Sequence, residues 1–347
     1  GQIVGRQLAE YARTDGWNQE GKLNKDGSIC EFNCHKFGDC TNYQPVNQPG
    51  IKNSHQQKIK THWMPILEDN GRGYESRQQH VTPHIGTMAK PAVLTRDDMD
   101  RRTAPWPDAY WDYNEQALVV TERLAATAVS DEKKMMIEFF DNKLDVVGAV
   151  IGAVGGFLRL GFEPTLNFIL AITAGEYDAI ILAWKEKVSH DLVRPTTWIQ
   201  EEMADLEFTT YAGPYKGVQT IKGKNFESYV RVMPHSEYVS GSACICQALM
   251  ELTDRWVDLH GGDSSSLQIP PLEFPKGSSR TEPGVTPAED MTKVLHSMQE
   301  VRDICGESRL DGGMHFTASV QAGYNLCEEV GVAATDYAFE LSNGGQF

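Results

Sequence analysis

The stretch that most limits what this chain can become is "TLNFILAITAGEYDAIILAW" (165–184), which runs on into "KVSHDLVRP" (187–195). Residues 165–193 read as one long helix that is apolar on most of its faces, and such a helix has to be enclosed by others. It also ends by delivering two permanent cations. Lys187 and Arg194 stand seven residues apart, nearly two helical turns, which predicts a shared face. Pro195 disfavours helix at Arg194, so the arginine is expected at or just past the helix end. Taken alone, cations there would be solvated and complement the helix dipole.

The remaining text supports a helical core. "SDEKKMMIEFFDNK" opens on Ser130 as a cap and spaces Met135, Met136, Phe139, Phe140 and Leu144 along one side. Another helix is expected from about Ala243. "TPAEDMTKVLHSMQEVRDIC" carries Thr286, Pro287 and Glu289 as a start signal. Its stripe would be Met291, Val294, Leu295, Met298, Val301 and Cys305. A last helix is expected from about His315, with Arg309 in the turn before it. Strand signals are sparse, which predicts an all-α helical bundle. Residues 20–108 are rich in Pro, Gly, Asn and Gln. Residues 1–108 are therefore read as a loop-rich region packing on a helical core of 109–347, the two forming one unit. "GQIVGRQLAEYARTDGW" looks like a helix already under way, without initiator Met or signal peptide, as in a processed form or a fragment. "VVGAVIGAVGGFL" (146–158) is shorter than the roughly 20 apolar residues a bilayer needs, so no membrane span is expected.

With 48 acidic and 32 basic residues the formal charge is −16, which argues against nucleic acid or an anionic membrane as partner. Any anion site must then be a local concentration of cations. Among the seven cysteines, Cys30, Cys34 and Cys40 fall in a loop and suggest a disulfide, with zinc, helped by His35, as the weaker alternative. Cys244, Cys246, Cys305 and Cys327 read as plain core residues. An odd count leaves at least one thiol unpaired within the chain.

Two more segments can face the cations of the first. In "ESRLDGGMHF" (307–316), Arg309 and His315 flank two glycines. In "MPHSEYVSGSACICQ" (233–247), Ser240 and Gly241 precede a helix whose free amides form an anion cradle. Alone, each is an ordinary helix end. Together, two arginines, a lysine, a hydroxylated helix start and a histidine are what a buried tetrahedral oxyanion requires. His190 and Asp191 read as surface or supporting residues, and Asp311 and Glu237 as residues able to orient an arginine.

The order K-x6-RP, SG-helix, SR-x5-H resembles the vanadium-dependent haloperoxidases and the related type 2 phosphatidic acid phosphatases. "VTPHIGT" (81–87) and "DCTNYQPVNQP" (39–49) resemble the region before the core in haloperoxidase-like proteins. The resemblance implies one vanadate per chain, bound to His315 and held by Lys187, Arg194, Arg309, Ser240 and the Gly241 amide. It implies hydrogen peroxide, a halide and a small organic acceptor as reaction partners. Ser242 stands where the family usually has a histidine as acid–base partner, and serine cannot titrate near neutral pH. His235 resembles the bromoperoxidase type and Trp184 the chloroperoxidase type. Bromide is easier to oxidise than chloride, so bromide or iodide is expected. The alternatives are an acid phosphatase with a phosphohistidine at His315 and a secreted structural or binding protein with a degenerate site. Secretion and a homo-oligomer are further expectations.

Overall fold

The computed structural model describes residues 2–32, 34–47, 59–69, 73–107 and 111–344. The boundary expected at 108–109 lies outside them. The N-terminal part holds α1 (Gln2–Ala12), β1 (Leu67–Asp69) paired with β2 (Glu75–Arg77), α2 (Ile85–Met88) and α3 (Arg96–Arg101). The helical part continues with α4 (Tyr113–Ala128), α5 (Asp131–Asp141), α6 (Lys143–Phe157), α7 (Phe162–His190) and α8 (Pro195–Glu202). After the hairpin β3 (Glu207–Tyr211) and β4 (Val218–Lys222) comes α9 (Gly241–Leu259). The hairpin β5 (Ile269–Phe274) and β6 (Met291–Leu295) leads to α10 (Met298–Asp311), α11 (Thr317–Leu326) and α12 (Val330–Ser342). The described fold is all-α apart from short antiparallel pairs.

The apolar run forms α7 as expected, and α7 sits among α2, α9 and α12. By length and composition α7 could cross a bilayer, so it, and not 146–158, is the stretch that best meets that test. Here it is the central helix of the bundle, with Phe168, Ile172, Ile181 and Leu182 buried. Each such side chain contributes about 1.5–3 kcal/mol by leaving water. Buried Asp178 is matched by the amides of Ala92, Val93 and Leu94 at 2.6–2.9 Å. That contact seats the N-terminal chain on the central helix.

Several expectations are corrected. No helix starts at Thr286: its hydroxyl donates to Glu282 at 2.8 Å, residues 291–295 pair with β5, and Ser297 caps α10. The expected stripe is thus divided between a strand and a helix. Leu144 is 81% exposed because α5 ends at Asp141 and Leu144 belongs to α6. The last helix is two, broken at Cys327–Glu329. Cys244 and Cys246 are not plain core thiols: Cys244 pairs with Cys327, and Cys246 with Cys305. Cys30 pairs with Cys34, so neither can ligate zinc, and Cys40 is the buried free thiol.

Candidate functional site

Helix α7 stops at His190 because Asp191 takes a left-handed conformation, φ 48°, which Asp tolerates better than most residues. Residues 192–193 then run beside the N-terminal chain, Leu192 bridging to His62. Trp63 N donates to Asp191 O at 2.7 Å and Val193 N to Thr61 O at 2.9 Å. Arg194 is the N-cap of α8, with Pro195 in its first turn. Lys187 and Arg194 therefore belong to different helices, and their convergence comes from the step between them. Asp191 is buried and accepts from Tyr43 Oη at 2.9 Å, so of its two readings, surface or supporting, the surface one is removed. His190, partly buried, contacts Ala104 O at 3.0 Å.

Lys187 is fully buried and donates to the carbonyls of Ser236 at 3.0 Å and Glu237 at 2.9 Å. Arg194 Nη1 donates to Met314 O at 2.8 Å and lies 3.3 Å from His315 Nε2. Arg194 Nη2 donates to His235 Nδ1 at 2.9 Å. Arg309 lies in the last turn of α10, not in the turn beyond it. Its Nη1 meets Asp141 at 3.1 Å and its Nη2 donates to Ile137 O at 3.0 Å. His315 sits just before α11 and holds its Nδ1 2.8 Å from Glu237 Oε1. Ser240 caps α9. A Cβ at Gly241 would meet the Trp184 ring at 3.4 Å and Lys187 Cε at 3.8 Å, so this helix start lies directly against the lysine. Ser242 follows in the first turn. The His235 and Trp184 rings are 4.9 Å apart.

The three motifs thus meet at one place. Arg194 and Arg309 are each 1% exposed, and Lys187 is 0% exposed. The carboxylates at hand are buried Glu237 and partly exposed Asp141, fewer than the cations. Burial, with Arg194 and Glu237 as opposing neighbours, pulls Lys187 well below its ordinary range. Burial, then Arg194 and Lys187, holds His315 well below the usual histidine value, and His235 is lowered chiefly by burial as well. Both shifts favour the neutral imidazole. With Nδ1 of His315 turned to Glu237, Nε2 is the nitrogen that offers a lone pair toward the cations.

Positive charge in excess, a helix start and a free ring nitrogen fit an anionic metal oxide better than a halide alone or a free metal cation. A cavity of about 760 Å³ adjoins this cluster through Asp141 and Thr196 and is walled by Glu138, Tyr229 and Arg280. The Thr196 hydroxyl has no hydrogen-bond partner.

Neither Glu237 nor Asp311 hydrogen-bonds a motif arginine through its side chain, although Asp311 does hold another arginine. Glu237 turns to His315, and Asp311 takes Arg123 at 3.0 Å and Lys133 at 2.8 Å. Asp141 performs that role for Arg309. It lies 168 residues away in sequence, and no local pattern marks it.

Together these elements form a helical bundle that gathers buried cations beside a buried histidine. The family model described as the VCPO second helical-bundle domain matches residues 167–344, just over half of the chain, and the chain belongs to the vanadium-dependent haloperoxidase family. The fold is similar to the holo form of a bacterial vanadium-dependent chloroperoxidase, with TM-score 0.87 and 24% identity over 99% of this chain and 72% of that one. The apo form gives TM-score 0.85 and 24% identity over 99% and 73%. A bacterial vanadium-dependent iodoperoxidase gives 0.58 and 17% over 81% and 62%. No curated protein matches the sequence significantly.

Proposed function

We propose that this chain is a vanadate-dependent haloperoxidase that oxidises halide with hydrogen peroxide. The balanced reaction is peroxide plus halide plus a proton giving hypohalous acid and water. The observation that supports it is a set of three buried cations near His315, with Arg194 Nη1 3.3 Å from its Nε2 and Lys187 and Arg309 close enough to act on the ring through their charge. His315 would hold vanadate through Nε2, while Lys187, Arg194 and Arg309 offset its charge and Ser240 and the Gly241 amide donate to it. When bound, vanadate supplies Lewis-acid activation of peroxide without changing oxidation state.

The chain's own residues provide placement and charge. Lys187, held by two carbonyls, presents its ammonium where peroxide oxygen would gain negative charge. Ser242 can donate a hydrogen bond but cannot carry a proton on and off near neutral pH, so the proton must reach the site through water. His235 and Trp184 form one wall, at which bromide or iodide is the favoured halide. The cavity beside Asp141 and Thr196 is the place for a small organic acceptor. Three disulfides favour an oxidising compartment, and with it secretion.

The test is bromination of a dye with peroxide and bromide after incubation with orthovanadate, with His315→Ala beside it. Activity that requires vanadate and is lost in the variant supports the proposal. Silence with bromide and iodide in protein that holds vanadate overturns it and turns attention to phosphate-ester hydrolysis.

A further inference from the structure

Glu237 is two residues past His235 and three before Ser240, inside the second motif, yet its contacts reach all three motifs. Its side chain is 2% exposed. Oε1 accepts from His315 Nδ1 at 2.8 Å and from Phe316 N at 3.0 Å. Its carbonyl accepts from Lys187 Nζ at 2.9 Å and from Ser319 Oγ at 3.3 Å. Its amide donates to Leu192 O at 2.9 Å, two residues before Arg194. A carboxylate in this place is costly to bury. A neighbour that merely filled space would be apolar.

We infer that Glu237 is a positioning residue: by accepting the Nδ1–H of His315 it fixes the ring's tautomer and angle, so that Nε2 alone faces Lys187, Arg194 and the α9 start. The inference rests on the proposed function for the identity of the oxyanion. The chemistry is that of a carboxylate polarising an imidazole whose other nitrogen is a ligand, which makes that nitrogen a better donor. Ser319 Oγ, 3.3 Å from Nδ1, is a weaker second contact and cannot replace a carboxylate.

The consequence is specific, because two anions of one shape would respond differently. Vanadate gains a bond to Nε2, whereas inorganic phosphate meets the same cations without one. Removing the Glu237 charge should weaken vanadate and spare phosphate, or tighten it, since a nearby negative charge is gone. Titration calorimetry of the metal-free full chain with orthovanadate and with inorganic phosphate measures this. Glu237→Gln is expected to weaken vanadate about tenfold with phosphate unchanged or tighter, and Glu237→Ala to weaken vanadate further.

The second readout needs no oxyanion. Nitrogen-15 shifts of the His315 ring should show the proton on Nδ1 in the parent protein and a larger share on Nε2 in Glu237→Ala. Equal losses for vanadate and phosphate, or a His315 proton on Nε2 in the parent protein, would overturn the inference. A parent protein that fails to bind vanadate while His315 keeps its proton on Nδ1 would instead overturn the proposed function and leave the carboxylate–imidazole pair standing.

Discussion

At Asp191 the chain changes direction between two cations, and burial raises its carboxyl from 3.8 to about 7 despite the hydrogen bond from Tyr43. The sign follows from linkage. A carboxyl raised in the folded state costs nothing below its unfolded value, costs progressively more as pH climbs from about 4 to 7, and costs the full amount above that. Asp191→Asn keeps an oxygen for Tyr43 and suits the left-handed backbone, where Asn is at home. We expect it to stabilise the fold by about 1–3 kcal/mol at pH 8 and by almost nothing at pH 4, read as the urea midpoint at each pH. A gain of equal size at both pH values would assign the effect to the backbone and not to the charge. Lys187, Arg194, Arg309 and His315 could be singled out from the sequence because each lies in a short motif with fixed spacing. Asp191 and Glu237 lie within motif stretches at positions the spacing does not fix, Asp141 lies far from all three, and what each does depends on which chain segment packs opposite.

Helix starts show where local signals suffice. Ser130 caps α5 as its spacing predicts, accepting from Lys133 N at 3.3 Å. Ser240 caps α9 in the same way. Thr286 has an equally good local signature and starts no helix, since Glu282 takes its hydroxyl and the β5 edge takes residues 291–295. A stripe of Met291, Val294 and Leu295 suits a half-buried strand as well as a helix, so periodicity could not separate the two. The cysteines behaved similarly: one apolar helical setting suits a free core thiol or half of a disulfide. Cys246 and Cys305 join α9, which starts at the Ser240 cradle, to α10, which ends with Arg309. Cutting a bridge that closes a loop of this length, 59 residues, should cost about 2–4 kcal/mol. For Cys246→Ser with Cys305→Ser we therefore expect a lower melting temperature and weaker oxyanion binding. Cys244→Ser with Cys327→Ser, a bridge farther from Arg309, should lower the melting temperature with a smaller effect on binding. Alkylation of the denatured, unreduced parent protein should label one thiol per chain, Cys40; five or more labels would show that at least one of the two core bridges is absent.

Across the molecule, a chain of net charge −16 concentrates positive charge at its centre, where α7, α9 and α10 meet the turn before α11. The helical class was readable because a long apolar helix leaves few ways to bury itself. The path of residues 20–108 was not, because loop sequence carries turn signals but no periodic face. Those loops nonetheless touch the core closely, as Trp184 Nε1 donating to Val81 O at 2.9 Å illustrates. The central charge has a thermodynamic consequence. Like charges buried together favour unfolding until an anion joins them, so an oxyanion that binds only the folded chain must raise its melting temperature. At a hundredfold excess over Kd the gain is about 2.7 kcal/mol, on the order of 5 °C for a protein of this size. Vanadate and phosphate should both give such a rise when each is scaled to its own Kd. At equal concentration vanadate should give the larger one, by virtue of its bond to His315. In His315→Ala that advantage should vanish while the phosphate response persists, because Lys187, Arg194 and Arg309 remain. If vanadate kept its advantage without the imidazole, the anchor would have to lie elsewhere among these buried groups.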